Sequence, residues 1–318
     1  MTPQDWTWPS KPTTADEFER MMLSLDAHFG HCNIPVPHRD FQAITMVSRA
    51  FGISGNVMPA RHSPRPPFCP EDIYLRIGDW FELVYGDRTK VDPSPGSIVF
   101  EMAGIHWRLR LPRYYGTLEF FVDRNLAHHG IALGLHGPAT HNLLSSIDSL
   151  TPAYAARLSD QDCKIIQDTF LLGADAIYWL DKATGNDLLH QARQDYKSSV
   201  NALLERQGAN QARWDTAQCA EKVFKGLLAR TGHAYPRDKV GHNIPVIGKL
   251  VTEKLGVVLT TTALATIDCK PAVRYGEVAV SASDALHAHH ALLKVISELS
   301  QVISPQQQSA TTGTRLKP

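Results

Sequence analysis

Residues 214–232 read WDTAQCAEKVFKGLLARTG, and they decide the class of the second half of the chain. Ala220, Val223, Phe224, Leu227 and Leu228 recur three and four residues apart. That spacing puts them on one stripe of an α-helix, which a neighbour has to cover. Asp215 stands where an N-cap is expected, since its carboxylate can accept from the free amides of a first turn. Gly232 stands where the helix is expected to end. Glu221 and Lys225 are four apart and can pair on the helix surface.

The same period recurs on both sides of this segment. DQDCKIIQDTFLLGADAIYWLDKA (160–183) places Ile166, Phe170, Ala174 and Ile177 on one stripe. ARQDYKSSVNALLERQG (192–208) has the same helical character. SDALHAHHALLKVISELSQVI (283–303) lines up Ala285, Ala288, Leu292, Val295, Ile296 and Leu299. Residues 150–302 are therefore expected to form a helical bundle. The tail at 304–318, rich in Ser, Thr, Gln and Pro, is expected to be disordered.

The first part of the chain reads differently. Residues 14–29 predict a helix: Thr14 can cap it, Glu17 follows three residues later, and Phe18, Met21, Met22 and Leu25 share a face. A short helix is expected over 39–51. The Pro-rich stretch 58–70 cannot lie inside a helix or a central strand. Strands are expected at 73–77, 80–85, 97–103, 105–111 and 117–122. GIHWRLRL (104–111) alternates Ile105, Trp107, Leu109 and Leu111 with His106, Arg108 and Arg110. Gly78-Asp79, Gly86-Asp87 and Ala103-Gly104 are candidate turns, and GLHGPATHN (134–142) a loop or linker. The expected fold is α+β: an N-terminal domain (1–135) with an antiparallel sheet and helices, then an all-α bundle.

Composition bounds the function. At 318 residues the chain is long enough for two domains, and 43% hydrophobic with 20% charged residues is ordinary for a globular protein. It contains no apolar run of membrane-spanning length, and the N-terminus does not resemble a signal peptide, so a cytoplasmic location is expected. The five cysteines (Cys32, Cys69, Cys163, Cys219 and Cys269) are widely spaced, without CxxC, and are expected to be reduced and mostly buried. A net charge of zero does not announce a nucleic-acid binder. Locally, however, 222–274 carries nine Lys or Arg against three Asp or Glu. That segment can be a phosphate-facing patch or a solvated face paired with the acidic stretch 148–195.

Several residues carry a resemblance. Ala220-Glu221-Lys222, Lys225, Leu227, Leu228 and Gly232 resemble the second long helix of HEPN domains. YPRDKVGHNIPVIGKL (235–250) is similar to the loop and His-containing helix start that follow it. Arg274-Tyr275 resembles the element before the family's last helix, and 163–182 resembles its first. The resemblance covers about 150–302 and implies a helical bundle, a homodimer and, in many members, a metal-independent endoribonuclease of toxin–antitoxin, phage-defence or stress systems. An antitoxin-like partner protein goes with that reading; no cofactor or metal does. By the resemblance Arg237, Asp238 and His242 form the catalytic set, and Lys222, Lys225 and Arg274 bind the nucleic-acid backbone. The chemistry is coherent: a histidine suits removal of a proton from a 2′-hydroxyl, and an arginine suits the charge that develops on phosphorus.

A competing reading is a non-catalytic dimerisation or interaction module, with a ligand- or partner-binding N-terminal domain. Other signals are weaker. His287, His289 and His290 fit a polar helix face better than a metal site. His128-His129 and His136 with His141 read as loop histidines. Trp6 and Trp8 are expected to pack on their domain. No Walker motif, GxGxxG or GxSxG is present.

Overall fold

The computed structural model describes residues 6–53, 64–90, 92–114, 116–126, 139–205, 207–236 and 239–305. The chain forms two compact units, Met1–Asp92 and Pro93–Pro318. The boundary lies well before residue 135, so the strands belong with the bundle.

In the first unit the regular elements among the described residues are helices: α1 (Ala15–His31), α2 (Val36–Phe51), α3 (Pro70–Tyr85) and one 3-10 turn (Gly86–Thr89). Thr14 caps α1 by accepting from the Glu17 amide at 3.3 Å, while the Glu17 carboxylate reaches back to the Thr13 amide at 2.8 Å. Phe18, Met21, Met22, Leu25 and Phe29 of α1 are buried against α2 and α3. Trp6 joins this core, with Trp8 stacked on it. Asp26 ties the three helices together, accepting from Arg39 of α2 at 2.7 Å and from the Tyr85 hydroxyl at the end of α3 at 2.6 Å.

The expected antiparallel sheet is present only in part, as the pair at 97–102 and 105–110, and its first two strands are a correction. The expected strands 73–77 and 80–85 are one helix, α3. Pro70 opens it, Glu71 and Asp72 favour its first turn, and Ile73, Ile77, Trp80 and Phe81 are buried at helical spacing. Gly78-Asp79 lies mid-helix rather than in a turn.

The second unit begins with an antiparallel hairpin, β1 (Ser97–Met102) and β2 (Ile105–Arg110), in the register Phe100↔Trp107. Ala103 and Gly104 both have positive φ (52° and 72°), the two-residue turn that matches strand twist. A parallel pair follows, β3 (Leu118–Phe121) and β4 (Ala139–Asn142), with Leu118 opposite Ala139. β4 occupies part of the expected 134–142 loop. The helices are α4 (Pro152–Ala155), α5 (Asp160–Lys182), α6 (Asp187–Leu204), α7 (Ala209–Arg230), α8 (Ile244–Leu255), α9 (Thr261–Ile267), α10 (Pro271–Arg274) and α11 (Ala282–Ser300). The architecture is α+β in the coarse sense: mostly helix, with two small sheets. No helix among the described residues is long and apolar enough to cross a membrane.

The stripes read on α5, α7 and α11 are buried in one core, together with Ile98, Val99, Phe100 and Met102 of β1. Asp215 does not cap α7. That helix begins at Ala209, and Asp215 is buried inside it, accepting from Ser198 of α6 at 2.6 Å and from Gln211 at 2.7 Å. All five cysteines are free, with Cys219 buried and the others partly so.

Each outer edge of the hairpin is bonded in part from elsewhere. Along β2, the Asp148 amide donates to Arg108 O at 3.0 Å, and the Asp148 carboxylate accepts from Arg110 at 2.5 Å. Along β1, side chains do the work. The Tyr196 hydroxyl donates to Ser97 O at 2.8 Å, the Val99 amide donates to His289 Nε2 at 3.4 Å, and His290 Nε2 meets Val99 O at 2.8 Å. Two histidines of α11 thus take the place of a neighbouring strand. His289 is fully buried rather than on a polar face, and its Nδ1 has no hydrogen-bond partner among the described residues.

Burial holds His289 neutral, well below its ordinary titration range, with His290 and His106 adding to the effect. The unfolded chain takes up this proton near pH 6.5 and the folded chain does not, so stability is full above that pH and falls as pH drops below it. We expect the unfolding free energy, measured in urea between pH 7.5 and 5.5, to fall with acid. In His289→Gln, which keeps an acceptor for the Val99 amide, that slope is expected to be shallower by about one proton per molecule.

Candidate functional site

The middle of α7 is buried on most of its circumference, and it carries two charged side chains inward. Glu221 and Lys225 are 6% and 7% exposed. One turn apart, they form an ion pair, Lys225 Nζ to Glu221 Oε1 at 2.8 Å. The second carboxylate oxygen, Glu221 Oε2, meets His242 Nδ1 at 3.0 Å. An ionised carboxylate can only accept, so Nδ1 is the donating nitrogen in this pair, and in the neutral ring Nε2 is then the acceptor. The His242 ring is 61% exposed, so this acceptor is open to ligands.

The loop between α7 and α8 is shaped around this pair. The Lys225 ammonium lies 5.9 Å from the Tyr235 ring centroid. Gly241 closes the loop in a 3-10 turn (Lys239–His242), where any Cβ would lie 2.1 Å from Pro236 O and 3.4 Å from Lys225 Nζ. Glycine is required by that approach. Asn243 then caps α8, accepting from the Val246 amide at 3.0 Å, with Pro245 in the first turn.

Beside the Glu221–His242 pair lies a cleft of about 510 Å³. Its α7 wall is Trp214, Ala217, Gln218 and Glu221; the start of α8 contributes His242, Asn243 and Ile244. The segment between α9 and α10 contributes Asp268, Cys269, Lys270 and Pro271, and Tyr275 completes the rim. Asp268 Oδ1 accepts from the Ile244 amide at 3.0 Å, so the N-terminus of α8 already faces a carboxylate. The Arg274 guanidinium sits 5.4 Å from the Trp214 ring centroid. Tyr275 is 72% exposed.

The expected site residues separate into three groups. His242 lines the cleft, and Arg274 reaches it through Trp214. Arg237 and Asp238 lie outside the described residues. Lys222 and Lys225 are not free cations: Lys222 is held by Asp195 of α6 at 2.6 Å, and Lys225 is buried against Glu221. An ammonium locked in such a pair is a poor contact for a nucleic-acid backbone. The Glu221–Lys225 pair is buried rather than on the surface. Burial pushes the Asp195 carboxyl above the usual carboxylate range, against the pull of Lys222. The contribution of Glu221 to His242 was not visible in spacing, since 21 residues separate them. The signal that could have found it is an acid beside the apolar stripe of a helix that buries several faces. Among the described residues no group of three His, Cys, Asp or Glu is placed to hold a metal ion. No protein-family model, curated protein or solved structure matches the chain.

Removing one member of a buried ion pair strands the other. Glu221→Gln is expected to lower the unfolding free energy by about 3 kcal/mol or more. The double variant Glu221→Gln with Lys225→Met is expected to recover most of that loss. Urea unfolding of the wild type, both single variants and the double variant checks both statements.

Proposed function

We propose that the second compact unit is a HEPN-like helical module that takes RNA in the cleft between α7 and α8, with His242 as the base of a metal-independent cleavage. The observation that carries this reading is the hydrogen bond between His242 Nδ1 and the buried Glu221 carboxylate at the wall of that cleft. It is the arrangement a general base needs: a fixed tautomer and one open acceptor nitrogen. Glu221 is a positioning residue here, since it acts through His242.

In the proposed step, His242 Nε2 takes the proton of a ribose 2′-hydroxyl. The 2′-oxygen bonds to the adjacent phosphorus, and the bond from phosphorus to the 5′-oxygen breaks. The products are a 2′,3′-cyclic phosphate and a 5′-hydroxyl, whose proton comes from a second, protonated His242 in a homodimer. Arg237 stabilises the charge on phosphorus, Asp238 orients its neighbours in the same loop, and Arg274 and Lys270 hold the backbone at the cleft rim. No metal takes part in this scheme.

The neutralisation of Lys222 and Lys225 favours a second reading, in which the bundle is a non-catalytic interaction module. Few cations are then left to compete for a polyanion.

Purified protein incubated with structured and single-stranded RNAs in EDTA separates the two. Under our proposal the wild type cleaves, and His242→Ala loses at least about a hundredfold in rate while remaining folded, with its unfolding midpoint lowered by the lost hydrogen bond to Glu221. Cleavage by neither protein would sink the enzyme reading and favour the interaction module. Equal cleavage by both would remove His242 from the chemistry.

A further inference from the structure

Resting on the reading above, we infer that the cleft selects guanine, through Asn243 and Asp268. The argument begins with what each side chain has left to offer. Asn243 lines the cleft, and its Oδ1 is committed to the Val246 amide. Asp268 also lines the cleft, and its Oδ1 is committed to the Ile244 amide. Capping fixes both side chains in place. It leaves one donor group, Asn243 Nδ2, and one oxygen, Asp268 Oδ2, without a hydrogen-bond partner among the described residues, although Arg213 acts on the Asp268 carboxylate through its charge. The amides of α8 are already served and are not the site.

Both side chains are anchored to amides of the same first turn of α8 and line the same cleft, so an uncommitted donor and an uncommitted carboxylate oxygen are offered together to a planar amide edge. Guanine presents that edge best: its O6 accepts from the Asn243 amide N–H, its N1–H donates to Asp268 Oδ2, and its N2–H donates to the remaining lone pair of Oδ1, which the Ile244 amide leaves open. Adenine (N1 with N6–H) and uracil (O4 with N3–H) also match the amide donor and one carboxylate oxygen, and lack only the second N–H that guanine adds for the carboxylate. Cytosine offers its N4 donor beside an acceptor, without a second N–H for the carboxylate.

The walls suit a flat base. Trp214 and Tyr275 line the same cleft, and the Arg274 guanidinium beside Trp214 adds a cation to the stack. About 510 Å³ is room for one nucleotide rather than a duplex. His242 precedes Asn243 in the chain and lines the same cavity, which places the base-reading groups beside the proposed general base. Lys270 lines the same cleft two residues after Asp268; its ammonium has no hydrogen-bond partner among the described residues and suits a phosphate.

The capping geometry also supplies the test. Asp268→Asn keeps an Oδ1 for the Ile244 amide but turns the free oxygen into a donor. Asn243→Asp keeps an Oδ1 for the Val246 amide but turns the free donor into an acceptor. Neither change removes a cap, and unfolding midpoints near the wild-type value confirm that each variant is folded. Binding is measured by calorimetry with GMP, IMP, AMP, UMP and CMP, and with short RNAs holding one G or one A, so that free nucleotide and RNA are distinguished.

The wild type is expected to bind the guanine ligands at least tenfold tighter than the adenine ones. IMP, which lacks the N2 amine, should fall between them. Asp268→Asn should abolish the preference, and Asn243→Asp should weaken guanine binding at least tenfold. Equal binding of all bases by the wild type, or an unchanged preference in Asp268→Asn, would overturn the guanine assignment and leave the RNA cleft standing. Absence of binding to every nucleotide and RNA would overturn both.

Discussion

Glu221 is a carboxylate on a face of α7 that water barely reaches, and much of the second unit is arranged to answer it. An ionised carboxylate in such a place costs several kcal/mol unless positive or donating groups surround it. Lys225, one turn along, meets one oxygen, and His242 meets the other. To bring the imidazole there, the chain must leave α7, turn back and start α8 beside it. The Gly241 turn and the capped start of α8 achieve that return. Cleft, loop and histidine are thus consequences of one buried charge.

A comparable demand arises at the hairpin. Two strands cannot satisfy their own outer edges, and buried backbone groups seldom go unpaired. Here the missing neighbour is assembled from Tyr196, His289 and His290 on one side and from Asp148 on the other. The hairpin is thereby bonded to α6, to α11 and to the segment before α4. It has no open edge at Ser97, Val99 or Arg108 at which another strand could add.

Features set by residues close in sequence were legible. The Thr14 cap, the Ala103-Gly104 turn and the apolar stripes of α5, α7 and α11 are local patterns, and they lie where the spacing puts them. Features set by partners far apart were not. The segment 73–85 looked like two strands because a Gly-Asp pair sits at its centre, yet the i, i+4 burial of Ile73 and Ile77 outweighs that local signal. Asp215 looked like a cap because the polar residues before it hide the true start of α7. The parallel pairing of β3 with β4 and the burial of His289 depend on contacts that no window of sequence contains. In the cleft, His242 was legible as a candidate. Its buried partner Glu221 was not, and neither were the walls formed by Trp214, Asp268 and Tyr275.

The bonds from Val99 to His289 and His290 also have a meaning in time. They join positions 190 and 191 residues apart. During synthesis, at about 5–20 residues per second, β1 emerges roughly 10–40 seconds before the helix that completes its edge. Through that interval the strand has its hairpin partner but not its outer neighbour. Closing so long a loop also slows folding, because its entropy is spent before the contact is made. The last long helix is therefore the element that ends the chain's exposure, and the nascent hairpin is the place where a chaperone, or another nascent chain, has longest to act.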